Sequence, residues 1–278
     1  MTCFYGVPMK DIVKLNTVYA YDDLTVLMKK IAIFYAPDTS VEDIGESHGK
    51  RPVYAIHLGK GPKVFLYISG IHGCENVNPN VLLKIIEYYA YNDLVPKDYR
   101  MIFVPVANPD GYEYARLSKK MIRNNARGVD INRNFECASF KGENPNSEPE
   151  TKALINLFEN YRPNLLIDFH SRGNSVFYHR AAMDEEYNKT NLKIANAIIK
   201  ETGYSLEKPE NENPLGAGGN TVQYFSEKYY KPAITVETVS EKEEYPLDPR
   251  LQLSTFNEIV NVPLITADLV CKLAAKNI

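Results

Sequence analysis

The sequence predicts a three-layer α/β/α fold built on a central mixed, mostly parallel, twisted sheet. Short β-branched or aromatic runs alternate with longer segments of helical period, the rhythm of a sheet covered by helices. Several of the short runs, VFLYI and NLLIDF among them, are nearly continuous apolar stretches, which suits strands buried on both faces. The chain has 278 residues, 44% of them hydrophobic. One domain of that size buries roughly 75% of its unfolded surface. No Pro, Gly or Ser-rich stretch divides it, so a single domain over residues 1–278 is expected.

Taken in order, helical periodicity marks Tyr21–Phe34 as the first helix. Strands follow at Val53–Leu58 and Val64–Ser69. The pair Asn78-Pro79 reads as a cap and first-turn proline opening a helix at Pro79–Tyr91. A strand is expected at Met101–Val106, a helix at Glu148–Tyr161 and a strand at Asn164–Phe169. Helices at Glu185–Glu201 and Val222–Tyr230, a strand at Ala233–Thr238 and a helix at Thr255–Lys276 complete the set. Two stretches read as long irregular loops: the polar residues 107–147, and residues 203–221 (GYSLEKPENENPLGAGGNT). Loops of that length in a compact α/β domain are usually functional. If they follow strand C-termini, both project from the rim where open α/β sheets bind ligands.

Thirty-two basic and thirty-five acidic residues give a formal net charge of −3, which removes the generic electrostatic case for nucleic acid or an anionic membrane. No apolar run approaches the ~20 residues of a membrane helix. The opening MTCFYGVPMKDIVKLN lacks a charged start followed by an apolar core, so no secretory signal is expected. Cys3, Cys74, Cys137 and Cys271 show no CxxC spacing and read as reduced thiols, in keeping with a cytoplasmic location.

Four constellations could carry chemistry. Gly70-Ile71-His72-Gly73-Cys74-Glu75 follows a strand, and a three-residue spacing lets His72 and Glu75 face one point. Imidazole and carboxylate suit zinc, although a loop histidine beside a solvated glutamate would look the same. His170 ends the apolar strand NLLIDF. With His72 and Glu75 it would give three ligands and an open fourth position, the layout of a catalytic zinc. Cys74 reads as a small packing residue, not a fourth ligand. RNNARGVDINRNF, from Arg123, offers guanidinium groups for a carboxylate or an oxyanion. Arg116, Lys119, Lys120, Arg123 and Arg127 could instead form a solvated basic loop or a local nucleic-acid patch, but no stacking aromatics accompany them. Glu237, within the strand AITVET, is costly to bury without a purpose; it is a general base if near a metal, or an edge-strand glutamate facing solvent.

In this order, GIHGCE, NPDGY (Asn108–Tyr112), RNN with GVDINRNF, FHS and TVET resemble the zinc metallocarboxypeptidases of the carboxypeptidase A superfamily, the funnelins. YDDL and SEPET (Ser147–Thr151) sit where that family has similar segments. The resemblance implies one Zn2+ per chain, held by His72, Glu75 and His170. It implies Arg123 as the oxyanion stabiliser, Glu237 as the general base and later proton donor, and Asn132 and Arg133 on the carboxylate that ends the peptide substrate. Asp130 would accept the second ring N–H of His72 and fix its tautomer.

The sequence departs from the family pattern where a mobile active-site tyrosine should fall, near Leu215; Tyr204 or Tyr224 would have to substitute. The specificity position falls near Thr221 or Val222, neither acidic, so a simple preference for C-terminal Lys or Arg is not expected from it. Arg172 stands where digestive members commonly carry tyrosine and adds a second cation to the cleft. The compact form resembles the microbial γ-D-glutamyl-diamino acid peptidases and murein tripeptide amidases, whose cell-wall peptides end in a diamino acid. A general carboxypeptidase and an N-acyl amino acid deacylase of the aspartoacylase or desuccinylase type are the competing readings. His57 is expected to be structural, and Glu241, Glu243 and Glu244 to form a solvated loop.

Overall fold

In the computed structural model, which describes residues 11–211 and 218–276, the five predicted strands and three unpredicted ones form one eight-stranded sheet. The strands are β1 (Thr39–Glu46), β2 (Pro52–Leu58), β3 (Lys63–Ser69), β4 (Tyr99–Val104), β5 (Leu166–Ser171), β6 (Ser175–Phe177), β7 (Ser205–Leu206) and β8 (Ala233–Thr238). Their spatial order is β1-β2-β4-β3-β5-β8-β6-β7. The centre, β4-β3-β5-β8, is parallel, and β2 and β6 pair antiparallel with its two sides. The mixed, mostly parallel sheet is as expected.

Side chains along each strand alternate between two apolar layers, as the two-residue period of a strand requires. Phe65, Tyr67, Ile167, Phe169, Ile234 and Val236 pack on one side. There they meet α1 (Tyr21–Phe34), α2 (Val77–Asn92), α3 (Pro109–Ser118), α5 (Glu185–Thr202), α7 (Leu251–Ile259) and α8 (Val262–Lys276). Val64, Leu66, Ile68, Leu166 and Ala233 pack on the other side against α4 (Pro149–Tyr161) and α6 (Thr221–Tyr229). Burial on both faces explains the continuous apolar runs of β3 and β5. No helix among the described residues is long and apolar enough to cross a membrane.

Three expectations need correction, and strand β1, like β6 and β7, was not foreseen. Residues 107–147 are not wholly irregular, because Asn108 caps α3: its side chain accepts the Gly111 N–H at 2.9 Å, with Pro109 in the first turn. Asn78 does not cap α2, which starts one residue earlier at Val77; the Asn78 side chain is buried and used elsewhere. The final helix is two, α7 and α8, which meet near Asn261. Strand β1 (TSVEDIGE) is an edge strand, half polar and bulged between Asp43 and Gly45, so its alternation is broken.

Candidate metal centre

The C-terminal ends of β3, β5 and β8 lie side by side and present the predicted residues to one point. Strand β3 ends at Ser69, and the following turn carries His72 and Glu75. That turn lies flat on the start of α3: a Cβ at Gly73 would sit 2.2 Å from the Gly111 backbone. Asn108 joins the pieces, its amide nitrogen donating to Ile71 O at 3.0 Å and Arg123 O at 3.4 Å. The backbone N–H of Cys74 donates to Ile122 O at 2.7 Å. The motifs GIHGCE, NPDGY and RNN are therefore one packed unit.

His72, Glu75 and His170 are buried, and one ligand atom from each lies within 4.8 Å of the others. His72 Nδ1 is 2.6 Å from Glu75 Oε1, and His170 Nδ1 is 3.0 Å from Glu75 Oε2 and 3.2 Å from His72 Nδ1. Two imidazole nitrogens and a carboxylate converge, and Glu75 Oε2 is buried without a hydrogen-bond partner. Burial alone would raise the Glu75 pKa, but the two imidazoles outweigh it and hold it down to about 2. Burial likewise works against charge on His72 and His170, yet the carboxylates beside them win and both pKa values rise, that of His170 well above the ordinary range. The lone pairs that hold protons in this chain are the donor set of a His₂Glu zinc, so the residues fit the ion the sequence implies. Cys74 adds no ligand atom; burial pushes its thiol up to about 12.

Around this centre, Glu237 pairs in register with His170 across the β5–β8 ladder and shares the sheet face of Asp168 and His170. Its Oε2 is shielded and has no partner. Burial raises its pKa to about 7; the pull of His170 opposes this and the charge of Glu75 adds to it. A Cβ at Gly173 would stand 3.0 Å from the Glu237 Cβ, so this glycine leaves the glutamate its room. Arg123 Nη2 lies 2.8 Å from His72 Nε2 and 3.3 Å from Asp130 Oδ2, and Asp130 Oδ1 is 3.3 Å from the same His72 nitrogen. As it stands, Arg123 can only donate to that nitrogen; were Nδ1 to hold a cation, Nε2 would carry the proton and Asp130 would be the group to accept it. Asp130 is held well below the usual carboxylate range: burial opposes this, but His72, Arg123 and Arg133 prevail.

The loop bearing these groups is fastened by Asn125. Its Oδ1 accepts the N–H groups of Arg127 and Val129 at 3.0 Å each, and its Nδ2 donates to Glu148 at 2.8 Å and Glu150 at 3.2 Å. The SEPET segment is thus an anchor for the loop. Asn132 Oδ1 accepts from Thr221 N at 3.0 Å and Thr221 Oγ1 at 2.9 Å, which turns its Nδ2 towards His170 Nε2, 3.5 Å away. Arg133 Nη1 donates to Asn132 O at 2.6 Å. Thr221 and Val222 are fully enclosed, one bonded to Asn132 and the other in the apolar layer, so neither lines an open specificity pocket.

A cleft of ≈ 180 Å³ opens beside Glu75 and Arg123, bounded also by Cys74, Met121, Ser171, Arg172, Glu241, Tyr245 and Leu247. Arg172 belongs to it as expected, but its guanidinium donates to the carbonyls of Glu241 and Glu243. Glu241 therefore lines the cleft, and the carbonyls of Glu241 and Glu243 hold the Arg172 guanidinium. The expected tyrosine position, near Leu215, lies outside the described residues. Tyr204 and Tyr224 do not substitute: Tyr204 bonds Glu258 at 2.5 Å, and Tyr224 packs on Phe135 and Phe158. His57 is structural, 2.8 Å from Glu42. Among the basic candidates, Arg116 is forked onto Glu113 and Arg127 faces Glu148 at 3.5 Å.

Two site residues escaped the sequence reading. Asn78 Nδ2 donates to His170 O at 2.7 Å while its Oδ1 accepts from Thr238 at 2.8 Å, tying α2 to the ends of β5 and β8. Asp168 stands two residues before His170, on the same face by strand alternation; that spacing was the available signal.

The profile of the zinc carboxypeptidase family matches residues 24–260. Carboxypeptidase D of Anas platyrhynchos is 27% identical over 238 residues, which is 77% of this chain and 16% of that one, so the chain spans about a sixth of that relative's length. Bovine thrombin-activatable fibrinolysis inhibitor, solved with tick carboxypeptidase inhibitor, superposes with a TM-score of 0.84 at 20% identity, covering 93% of this chain and 99% of that one. The murein-tripeptide amidase MpaA of Escherichia coli O157 superposes at 0.54 with 21% identity, over 83% and 91%. At those identities the structural likenesses speak to the fold.

Proposed function

Because the chain belongs to the zinc carboxypeptidase family, we propose that it hydrolyses the C-terminal amide bond of a peptide with one zinc ion held by His72, Glu75 and His170. The observation that carries this reading is the convergence of those three buried donors beside Glu237 at one edge of the sheet. When bound, zinc lowers the pKa of a water ligand and polarises the scissile carbonyl. Glu237, partly exposed but with one shielded oxygen and a pKa raised to about 7, takes the proton from the attacking water and returns it to the leaving amine. Arg123, at the open side of His72, offers N–H donors to the oxygen that gains charge. Asn132 and Arg133 receive the terminal carboxylate; Thr221 holds the Asn132 amide so that its N–H groups face the site.

One observation favours a narrower substrate. Arg172 shares the cleft with Arg123, and a pair of cations suits a substrate with an additional carboxylate. A γ-linked glutamyl residue leaves its α-carboxylate free next to the scissile bond, as in a cell-wall peptide ending in a diamino acid. Product mass spectrometry separates the readings. Release of diaminopimelate from L-Ala-γ-D-Glu-diaminopimelate supports the narrow reading, and trimming of ordinary peptides alone supports a general carboxypeptidase. Turnover of acyl-amino acids alone would make the protein a deacylase instead.

A further inference from the structure

Asp168 is the least solvated charged group near the centre and plays no part in the roles above. Its side chain is 1% exposed on β5, and neither carboxylate oxygen has a conventional hydrogen-bond partner. A buried carboxylate is costly unless a cation or a donor offsets it. The basic atom beside it is His170 Nε2, 3.0 Å from Oδ2. That nitrogen has a second neighbour of opposite demand. The Asn132 amide nitrogen, 3.5 Å away, is a donor, because Thr221 fixes the other end of the amide as the acceptor.

These two neighbours call for different tautomers. If Asn132 donated to Nε2, the imidazole proton would sit on Nδ1, the atom aimed at Glu75 and His72, and that lone pair would be lost to a metal. If Asp168 accepts from Nε2, the proton sits on Nε2 and Nδ1 is free to ligate. The carboxylate is closer and charged, so it prevails. It also leaves the Asn132 N–H groups unspent for an incoming carboxylate.

We propose that Asp168 is a positioning residue that holds the Nε2–H tautomer of His170 and thereby keeps both the Nδ1 ligand and the Asn132 donor available. This rests on the zinc site proposed above. His72 and His170 then have matching supports, Asp130 behind the first and Asp168 behind the second.

The test is zinc affinity, measured by competition with a chromogenic chelator, for wild type, Asp168→Asn, His170→Ala and the double variant. Loss of an outer carboxylate of this kind weakens metal binding by about 10–100-fold. Asp168→Asn should show that loss while its metal-free melting temperature does not fall, since a buried charge has been removed. In the His170→Ala background the same change should cost nothing further. Unchanged affinity in Asp168→Asn, or an equal loss with and without His170, overturns the proposal. Should the variant fail to fold, ¹⁵N spectra of the zinc-loaded wild type read the tautomer directly, and a His170 Nε2 without its proton also overturns it. A wild type that binds no zinc removes the metal site itself, a separate and distinguishable failure.

Discussion

Glu237 shows how one carboxylate differs from another at the same site. Glu75, between two imidazoles, is acidic, whereas Glu237 has no partner on its shielded oxygen and is pushed up to about 7. In the metal-free protein a raised carboxylate pKa means the folded state holds the proton more tightly than the unfolded one. Its contribution is therefore neutral below the ordinary value of 4.5, becomes unfavourable as pH rises towards 7, and is constant above. Melting curves of chelator-treated protein should show Glu237→Gln gaining on wild type between pH 4.5 and 7 and matching it at lower pH. In the zinc-loaded enzyme the same substitution should cut turnover by about 10²–10⁴-fold with metal content intact. If turnover survives, Glu237 is not the base. Elemental analysis of purified His170→Ala should find zinc well below one per chain, its affinity weakened but still measurable at high metal; full occupancy would refute the ligand assignment.

At the scale of elements, the glycines of two motifs decide whether the turn after β3 can lie on α3. An added methyl at Gly73 meets the backbone of Gly111 at 2.2 Å, and one at Gly111 meets the Asn124 carbonyl at 2.6 Å. Neither neighbour is a flexible side-chain tip, so either Gly→Ala change should destabilise the fold by about 1–3 kcal/mol and loosen metal binding as the His72 turn shifts. Denaturant melts with and without zinc would check both effects. Elements with strong patterns were readable in advance: α1 spans Tyr21–Phe34 and β8 spans Ala233–Thr238, as predicted. Helix α3 was missed because Gly111 and its polar face hide the period, although Asn108-Pro109 repeats the cap signal credited to Asn78-Pro79. At Asn78 that signal misled, because tertiary bonds to His170 and Thr238 claim the side chain. The residues proposed as ligands, base and carboxylate binders could be picked out because motif order carries them, and the structure brings His72, Glu75 and His170 together. Asp168 was hidden inside a strand that reads as simply apolar, and Asn125, Glu148 and Glu150 were hidden because local sequence does not reveal which loop an anchor will hold.

For the whole molecule, the metal adds a direct tie between the turn after β3 and the end of β5, alongside the sheet and the Asn78 bonds. Zinc at a hundredfold excess over its dissociation constant should stabilise the native state by about 2.7 kcal/mol, a rise of roughly 5 °C in melting temperature. Scanning calorimetry before and after chelation measures it, and an unchanged midpoint would mean the ion is not bound by the native state. The sheet order also has a kinetic side. Leu66 pairs with Leu166, and Leu166 in turn with Ala233, so the two halves of the metal centre come from strands about a hundred residues apart. Loops of that size close late, since their entropy is spent before the distant contacts repay it. A refolding chain therefore gains its helices well before it can capture a metal. A zinc-sensitive dye added during refolding would then act as a clock for the last parallel strands to dock, with uptake lagging the recovery of helical signal.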